Sequence, residues 1–329
     1  MTPPPAPPSV DPDDVPMRPV VRPEGGDRIF LGITKAAGMS SFVIMALIGG
    51  FLLKGAWPAL QEQGASFFTG FDWITREGEP GEYGIGAVMY YTIAIAIVAL
   101  LMAVPLAIGT ALFINEYAPR RIRSWLTAMV DLFAAVPSLI YGFWGAELAS
   151  RYLQEIARWM DTHLAFFPPF RSPTNTYDGS TFIAAVIVSL MIMPIATSVM
   201  REVFAQAPQV EKEGALALGG TRWGMIRTVI LPFGRGGIIG GSMLALGRAL
   251  GETIAVALII IPIYDIRVSV TERGSNSVGS LIATKFGEAG PAELSALIAA
   301  GVALFAITLL VNFGASFVVA RSRSGAATD

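Results

Sequence analysis

The sequence contains no cysteine, which excludes disulfides and thiolate metal sites. Its one histidine is His163, so multi-histidine metal centres and histidine proton relays are excluded as well. Lysine is scarce too. Lys35, Lys54, Lys212 and Lys285 are the only ones, and none stands in the Gly-x-x-x-x-Gly-Lys-Ser/Thr context of a nucleotide-binding loop. The chain therefore does not hydrolyse ATP by that route. Charge of either sign is thin: 15% of the 329 residues are charged, against about 25% in a soluble domain. A net charge of −2 gives no sign of nucleic-acid binding.

What is present is apolar sequence, with a mean hydropathy of +0.58. Charge is thin in six long stretches, 36–53, 83–114, 125–149, 179–200, 236–264 and 294–320, which hold only Asp131, Glu147, Arg248 and Glu252. A membrane span needs roughly 20 apolar residues, and the first stretch is the shortest. Runs this long form helices rather than barrel strands. The fold class predicted is an all-α integral membrane protein with six transmembrane helices over 36–320. Residues 1–35 form a proline-rich tail, since 1–28 hold nine prolines and five acidic residues and bury too little surface to order themselves. The tail does not read as a signal peptide, because the first apolar run starts only near Ala36. Residues 321–329 are a short C-tail.

Arginine and lysine in the loops set orientation. The N-tail, the second loop (Arg120, Arg121, Arg123), the fourth loop (Arg201, Lys212, Arg222, Arg227, Arg235) and the C-tail carry more of them than the other loops. That side is read as cytoplasmic, with both termini inside. The first outer loop holds Phe67, Phe68, Phe71 and Trp73, read either as interface aromatics or as packing residues of the loop.

The loop 201–235 starts with helix-forming residues, is interrupted at Gly219–Gly220, and resumes with Trp223, Ile226 and Ile230 at helical spacing before Pro232 ends it. This predicts a helix–turn–helix at the membrane surface, with glycine supplying the turn. The stretch resembles the coupling loop of ABC importer permeases: Glu-Ala-Ala, three residues, Gly, nine residues, Ile-x-Leu-Pro. Here it reads Glu213, Gly214, Ala215, then Gly219, then Val229, Leu231 and Pro232, departing only at Gly214 and Val229. The resemblance implies that the loop docks onto a separate ATPase subunit.

In the fifth apolar stretch Arg248 and Glu252 stand four apart, predicted on one helix face about one turn apart. A mid-membrane arginine costs at least ~2.5 kcal/mol on insertion scales, so it should face protein or a wet cavity. Its planar fork suits tetrahedral oxyanions. A purely structural ion pair between helices is the rival reading. Gly237, Gly241, Ala245 and Ala249 recur every four positions, which lets a neighbouring helix approach closely. Asp131 reads as a helix-start or interfacial residue, and His163 as a solvated one.

The run Gly247-Arg-Ala-Leu-Gly-Glu-Thr-Ile-Ala-Val and the run Ala135-Val-Pro-Ser-Leu-Ile-Tyr-Gly-Phe-Trp-Gly are similar to signatures of the PstC family of phosphate permease subunits. The Ala-Pro that usually follows Glu-Thr in the sister family is absent. The resemblance covers about 36–320. It implies Arg248 and Glu252 in the phosphate path, with Ser138 and Tyr141 as weaker lining candidates whose role is otherwise helix packing beside a proline. It also implies partners: a homologous PstA-like permease, a PstB-like ATPase dimer that binds ATP and Mg, and a PstS-like external phosphate-binding protein. Permeases for other oxyanions such as sulfate, a secondary transporter or channel using Arg248 and Glu252, and a non-transporting scaffold are the alternatives.

Overall fold

The computed structural model describes residues 25–75 and 81–323, with side chains to Gly314. The predicted tail up to residue 24 and the C-tail from residue 324 lie outside the described residues. The chain divides into a unit ending at Phe51 and a second unit from Leu52. Helix α1 runs over Gly25–Gln63. It begins well before Lys35, because no proline interrupts the sequence between Gly25 and Pro58. In the first unit its side chains are almost all exposed and apolar, the surface expected of a helix immersed in lipid.

In the second unit a helical turn at Ser66–Thr69 leads to a hairpin, β1 (Trp73–Ile74) and β2 (Glu82–Tyr83), with Trp73 opposite Tyr83. The loop aromatics divide between the two readings given to them. Phe67 and Trp73 are buried, and the Trp73 indole donates to Glu293 Oε1 at 2.9 Å, whereas Phe68 and Phe71 are exposed. Helix α2 covers Gly86–Leu112 and continues as a π turn over Phe113–Tyr117. It starts later than predicted because Glu82–Tyr83 pair as a strand.

Next come α3 (Arg120–Ala135), α4 (Ser138–Trp144) with a π turn at Gly145–Ala149, and α5 (Ser150–Leu164). The predicted third span is broken: Val136 is extended before Pro137, and the chain bends by 87°. A residue preceding proline is pushed out of the helical region. Helix α6 is Thr181–Ala205. The loop that follows folds as α7 (Gln209–Ala217), α8 (Arg222–Met225), a π turn at Ile226–Ile230 and a helical turn at Leu231–Phe233. After a 67° bend come α9 (Arg235–Leu250), α10 (Ile254–Ile259), α11 (Val278–Lys285) and α12 (Pro291–Arg323). The predicted fifth span, 236–264, therefore stops at Leu250. Among the described residues, four helices are long and apolar enough to cross a membrane, and up to six spans result if each bent pair counts as one.

The second unit is built on α6. Its main neighbour is α2, which presents Ala96, Ala99, Ala103, Ala107 and Ala111, all fully buried. In lipid, helices associate through close van der Waals contact rather than by expelling water, and small residues permit that approach. Helix α9 packs against another side of α6 through the small-residue row foreseen in the sequence. A Cβ added at Gly237 would lie 2.6 Å from Val203 Cβ, and one at Gly241 3.2 Å from the Ala196 carbonyl oxygen.

Helix α4 meets α10 in the same manner: a Cβ at Gly142 would lie 2.6 Å from Ala255 Cα. Gly142→Ala should therefore destabilise by about 1–3 kcal/mol through overpacking. Gly109→Ala, where a Cβ meets nothing within 4 Å, should be neutral or stabilising by up to about 1 kcal/mol. Thermal unfolding of the two variants in detergent, side by side, checks this; equal shifts would contradict the close contact.

Candidate functional site

Arg248 lies in the last turn of α9 and Gly251 caps that helix. The chain then leaves the helical path for Glu252 and Thr253 before α10 begins. Arg248 and Glu252 consequently do not share a helix face, and no ion pair joins them among the described residues. Glycine at the break weakens helix continuation by about 1 kcal/mol relative to alanine, and the Glu252 carboxylate has a better local partner. Glu252 is buried, and its Oε1 accepts from the Ala255 amide at 3.2 Å, capping α10. Thr253 Oγ1 donates to the Gly251 carbonyl at 3.1 Å. From behind, α11 braces the break: a Cβ at Gly279 would sit 2.7 Å from the Glu252 carbonyl oxygen. Glu252 thus caps the first turn of α10 rather than neutralising the arginine.

Arg248 itself is exposed in the isolated chain. The Tyr141 hydroxyl on α4 lies within electrostatic range of its guanidinium. Tyr141 is half-buried and donates to the Phe133 carbonyl at 3.0 Å, which ties α4 back across the Pro137 bend. Ser138 is the first residue of α4, three positions before Tyr141 and so on the same side of that helix. The structure puts Arg248 within electrostatic range of Tyr141, sets Ser138 on the same side of α4 as Tyr141, and turns Glu252 to the start of α10 instead. A guanidinium within electrostatic range of a tyrosine hydroxyl, with no carboxylate paired to it among the described residues, is suited to a multivalent anion.

The loop residues take the predicted form with one change. Gly219 has φ +84°, a left-handed conformation that glycine adopts freely, with open space around it. Thr221 caps α8 by accepting from the Gly224 amide at 3.1 Å. Glu213 is exposed and accepts from Gln209 Nε2 at 2.9 Å; Ala215 is half-buried, and its carbonyl receives the Gly220 amide at 3.1 Å. Pro232 does not end the helix. It sits early in the turn Leu231–Phe233, where an amide hydrogen is not needed, and Gly234 ends it instead. Leu231 is half-buried and Pro232 exposed. Val210, Leu216, Leu218 and Trp223 are exposed around the turn, an apolar patch of the kind that marks an interaction surface.

Sequence reading missed the polar ties behind this loop. Asp131 lies late in α3 rather than at a helix start, accepts from Ser198 Oγ at 2.9 Å, and lies 3.8 Å from Arg201 Nη2. Lys212 is paired with Glu116 at 2.9 Å. The available signal was that Glu116 and Arg201 border apolar stretches and Asp131 lies inside one, where an unpaired charge is costly. His163 is exposed and stacks on Trp159. Outside the spans, burial raises the Tyr177 hydroxyl above its ordinary pKa, and its 2.9 Å hydrogen bond to Asp161 adds to that.

The capping role of Glu252 has a measurable consequence. Glu252→Gln keeps an acceptor for the Ala255 amide and should leave thermal stability nearly unchanged, whereas Glu252→Ala should cost about 1 kcal/mol, the usual loss on removing a cap. Equal melting points for the two variants would argue against the cap.

Residues 103–324 match the family described as binding-protein-dependent transport system inner membrane component. Among curated proteins, the chain is 40% identical over 314 residues to the phosphate transport system permease protein PstC 2 of Mycobacterium bovis, covering 94% of this chain and 96% of that protein. It is 36% identical to a PstC of Mesorhizobium japonicum, covering 91% and 92%, and 37% identical to a probable PstC of Methanocaldococcus jannaschii, covering 88% and 93%. Among solved structures, a bacterial ABC transporter that imports the polysaccharide alginate aligns with a TM-score of 0.54 at 18% identity, over 89% of this chain and 99% of that one. The inward-facing MetNI methionine ABC transporter aligns at 0.52 and 15% identity, over 72% and 95%. These two likenesses concern the fold alone. A broken-helix membrane bundle, an exposed surface loop with the Glu-Gly-Ala…Gly pattern, and a match across most of the sequence have one reading: the chain is a multi-pass membrane protein that belongs to the binding-protein-dependent transport system inner membrane component family.

Proposed function

We propose that this chain is the membrane-spanning permease subunit of an ATP-driven importer of inorganic phosphate. The observation that carries the reading is Arg248: a guanidinium at the end of a membrane helix, exposed in the isolated chain, beside Tyr141 and without a carboxylate partner among the described residues. An uncompensated cation in that position is costly unless an anion or a water-filled path meets it. The names of the relatives, all phosphate permeases, favour phosphate as that anion. Six spans result when each bent pair is counted as one crossing, and the arginine-rich loops then put both termini in the cytoplasm. The exposed face of α9 and α4 would line a path shared with a homologous PstA-like permease. A PstB-like ATPase dimer would bind ATP and Mg and receive α7 and α8, and a PstS-like protein would deliver phosphate from outside. Alternating access follows if nucleotide binding moves the loop and reorients the helices around Arg248. A permease for sulfate would use the same fork, and competition by sulfate in the uptake assay separates the two.

Three measurements bear on this. In the complex reconstituted with its partners, Arg248→Gln should reduce phosphate uptake roughly ten- to a hundredfold, since hydrogen bonds to charged groups are worth about 1.5–3 kcal/mol, while the amount of assembled complex stays level. Arg248→Lys should also be impaired, because a point ammonium does not reproduce the fork; full uptake by the glutamine variant would sink the anion site. Gly219→Val, strained at φ +84°, should uncouple ATP hydrolysis from uptake, and retention of both at normal ratio would remove the docking assignment. For orientation, cysteines replacing exposed Thr174 and Thr221 serve as reporters in this cysteine-free chain. An impermeant reagent should label position 174 from outside and position 221 only from inside. Labelling of position 221 in intact cells would reverse the topology. Ser275 is fully buried and does not serve as a reporter.

A further inference from the structure

The π turn Phe113–Tyr117 that closes α2 has no part in the anion site. Its amide geometry is wider than an α-turn, with the Ala118 amide donating to the Phe113 carbonyl at 2.8 Å. Such turns recur at functional positions in helices, because the extra residue swings successive side chains away from the helix face. Here three consecutive side chains reach three different elements. Asn115 Nδ2 donates to the Arg201 carbonyl of α6 at 2.7 Å. Glu116 Oε1 accepts from Lys212 Nζ of α7 at 2.9 Å. The Tyr117 ring lies under the Arg222 guanidinium of α8, 5.9 Å from its centroid. A fourth tie returns to the turn from α3, where Arg123 Nη2 donates to the Asn115 carbonyl at 2.6 Å.

The Lys212–Glu116 pair is the strongest of these ties. Its side chains are 11% and 12% exposed, so solvent screens it little. Glu211 and Glu213, on either side of Lys212, are exposed. Among these three charged neighbours only Lys212 turns inward, while Val210, Leu216 and Leu218 remain outside. The loop therefore has an outward apolar face and an inward ionic anchor. Its covalent links to the bundle, Gln206–Pro208 and Gly234, are turns rather than helix.

We infer that Asn115, Glu116 and Tyr117 form a mechanical junction that carries displacement of the coupling loop into α2, with the Lys212–Glu116 ion pair as its strut. This rests on the proposed docking of α7 and α8 onto an ATPase. An ion pair with low exposure resists both approach and separation, whereas an apolar contact slides. Because α2 is locked to α6 along its alanine row, a push at the turn moves a packed pair of helices as a body, and such packed elements shift between discrete arrangements rather than deforming continuously. Glu116 and Lys212 are positioning residues, remote from the anion.

The test uses the whole complex in proteoliposomes with the external binding protein and labelled phosphate. The double variant Glu116→Gln with Lys212→Met leaves no buried charge unpaired and should assemble with the ATPase subunit. Phosphate moved per ATP hydrolysed should fall roughly tenfold, a typical coupling free energy. The charge swap Glu116→Lys with Lys212→Glu should recover most of it. A second readout needs no phosphate: a cysteine at Ser138, on the first turn of α4, should change its reactivity when the ATPase binds nucleotide, and the double variant should abolish that change. A transport ratio within about twofold of wild type, or a drop in assembled complex with ratio and nucleotide response unchanged, would overturn the junction. If the wild-type complex moves no phosphate, the substrate reading falls by itself. The labelling at position 138 then still decides the junction, its loss in the double variant supporting the strut and its persistence refuting it.

Discussion

The contact between α2 and α6 is the constraint on which the second unit depends. Hydrocarbon gives two apolar helices no reason to meet, so they hold together only where their backbones come close enough for dense van der Waals contact. Ala96, Ala99, Ala103, Ala107 and Ala111 remove side-chain bulk along one whole face of α2. Gly237 and Gly241 do the same for α9 on another side of α6. Larger residues on these rows would open the bundle, and both Arg248 and the surface loop hang from helices fixed in this way.

Around that rigid centre the other helices are deliberately discontinuous. Pro137 breaks the path between α3 and α4, Gly234 the one into α9, and Gly251 the one into α10. Each break frees backbone groups, and those at Pro137 and Gly251 have a local side-chain remedy. Tyr141 reaches the Phe133 carbonyl, and Glu252 receives the Ala255 amide. Irregular backbone at membrane depth is tolerated only inside protein or along a wet cavity, so these breaks mark the interior side of α4, α9 and α10. Arg248 stands at the edge of that side.

Charge placement separates holding from handling. Lys212, Glu116, Asp131, Arg201 and Glu252 all have polar partners within the chain. Arg248 has neither a hydrogen bond nor an ion pair among the described residues. A charge already neutralised has little left to offer a ligand, whereas an unpaired guanidinium beside a tyrosine keeps its full fork for an oxyanion. That contrast, rather than the mere presence of Arg248 in a span, sets it apart from its neighbour Glu252.

The apolar runs, the loop pattern and the small-residue row were legible in the sequence because each depends on residues close together in the chain. A run of twenty apolar residues finds its lowest energy as a helix in lipid whatever surrounds it. Gly219 announced a turn by the conformation only glycine takes freely. Spacing also suggested that Arg248 and Glu252 share a face, and there it failed. Whether a helix continues past Gly251 depends on what receives Glu252, and that partner is the amide of α10 held between α4 and α11. The Lys212–Glu116 pair joins residues far apart in sequence, which no local pattern encodes. The sequence by itself determined which segments are apolar enough to enter a membrane and where the chain turns at Gly219. Only the tertiary structure decided which charges are paired and left Arg248 without an ion pair among the described residues, because a side chain's partner is set by the packing of helices that meet from distant parts of the chain.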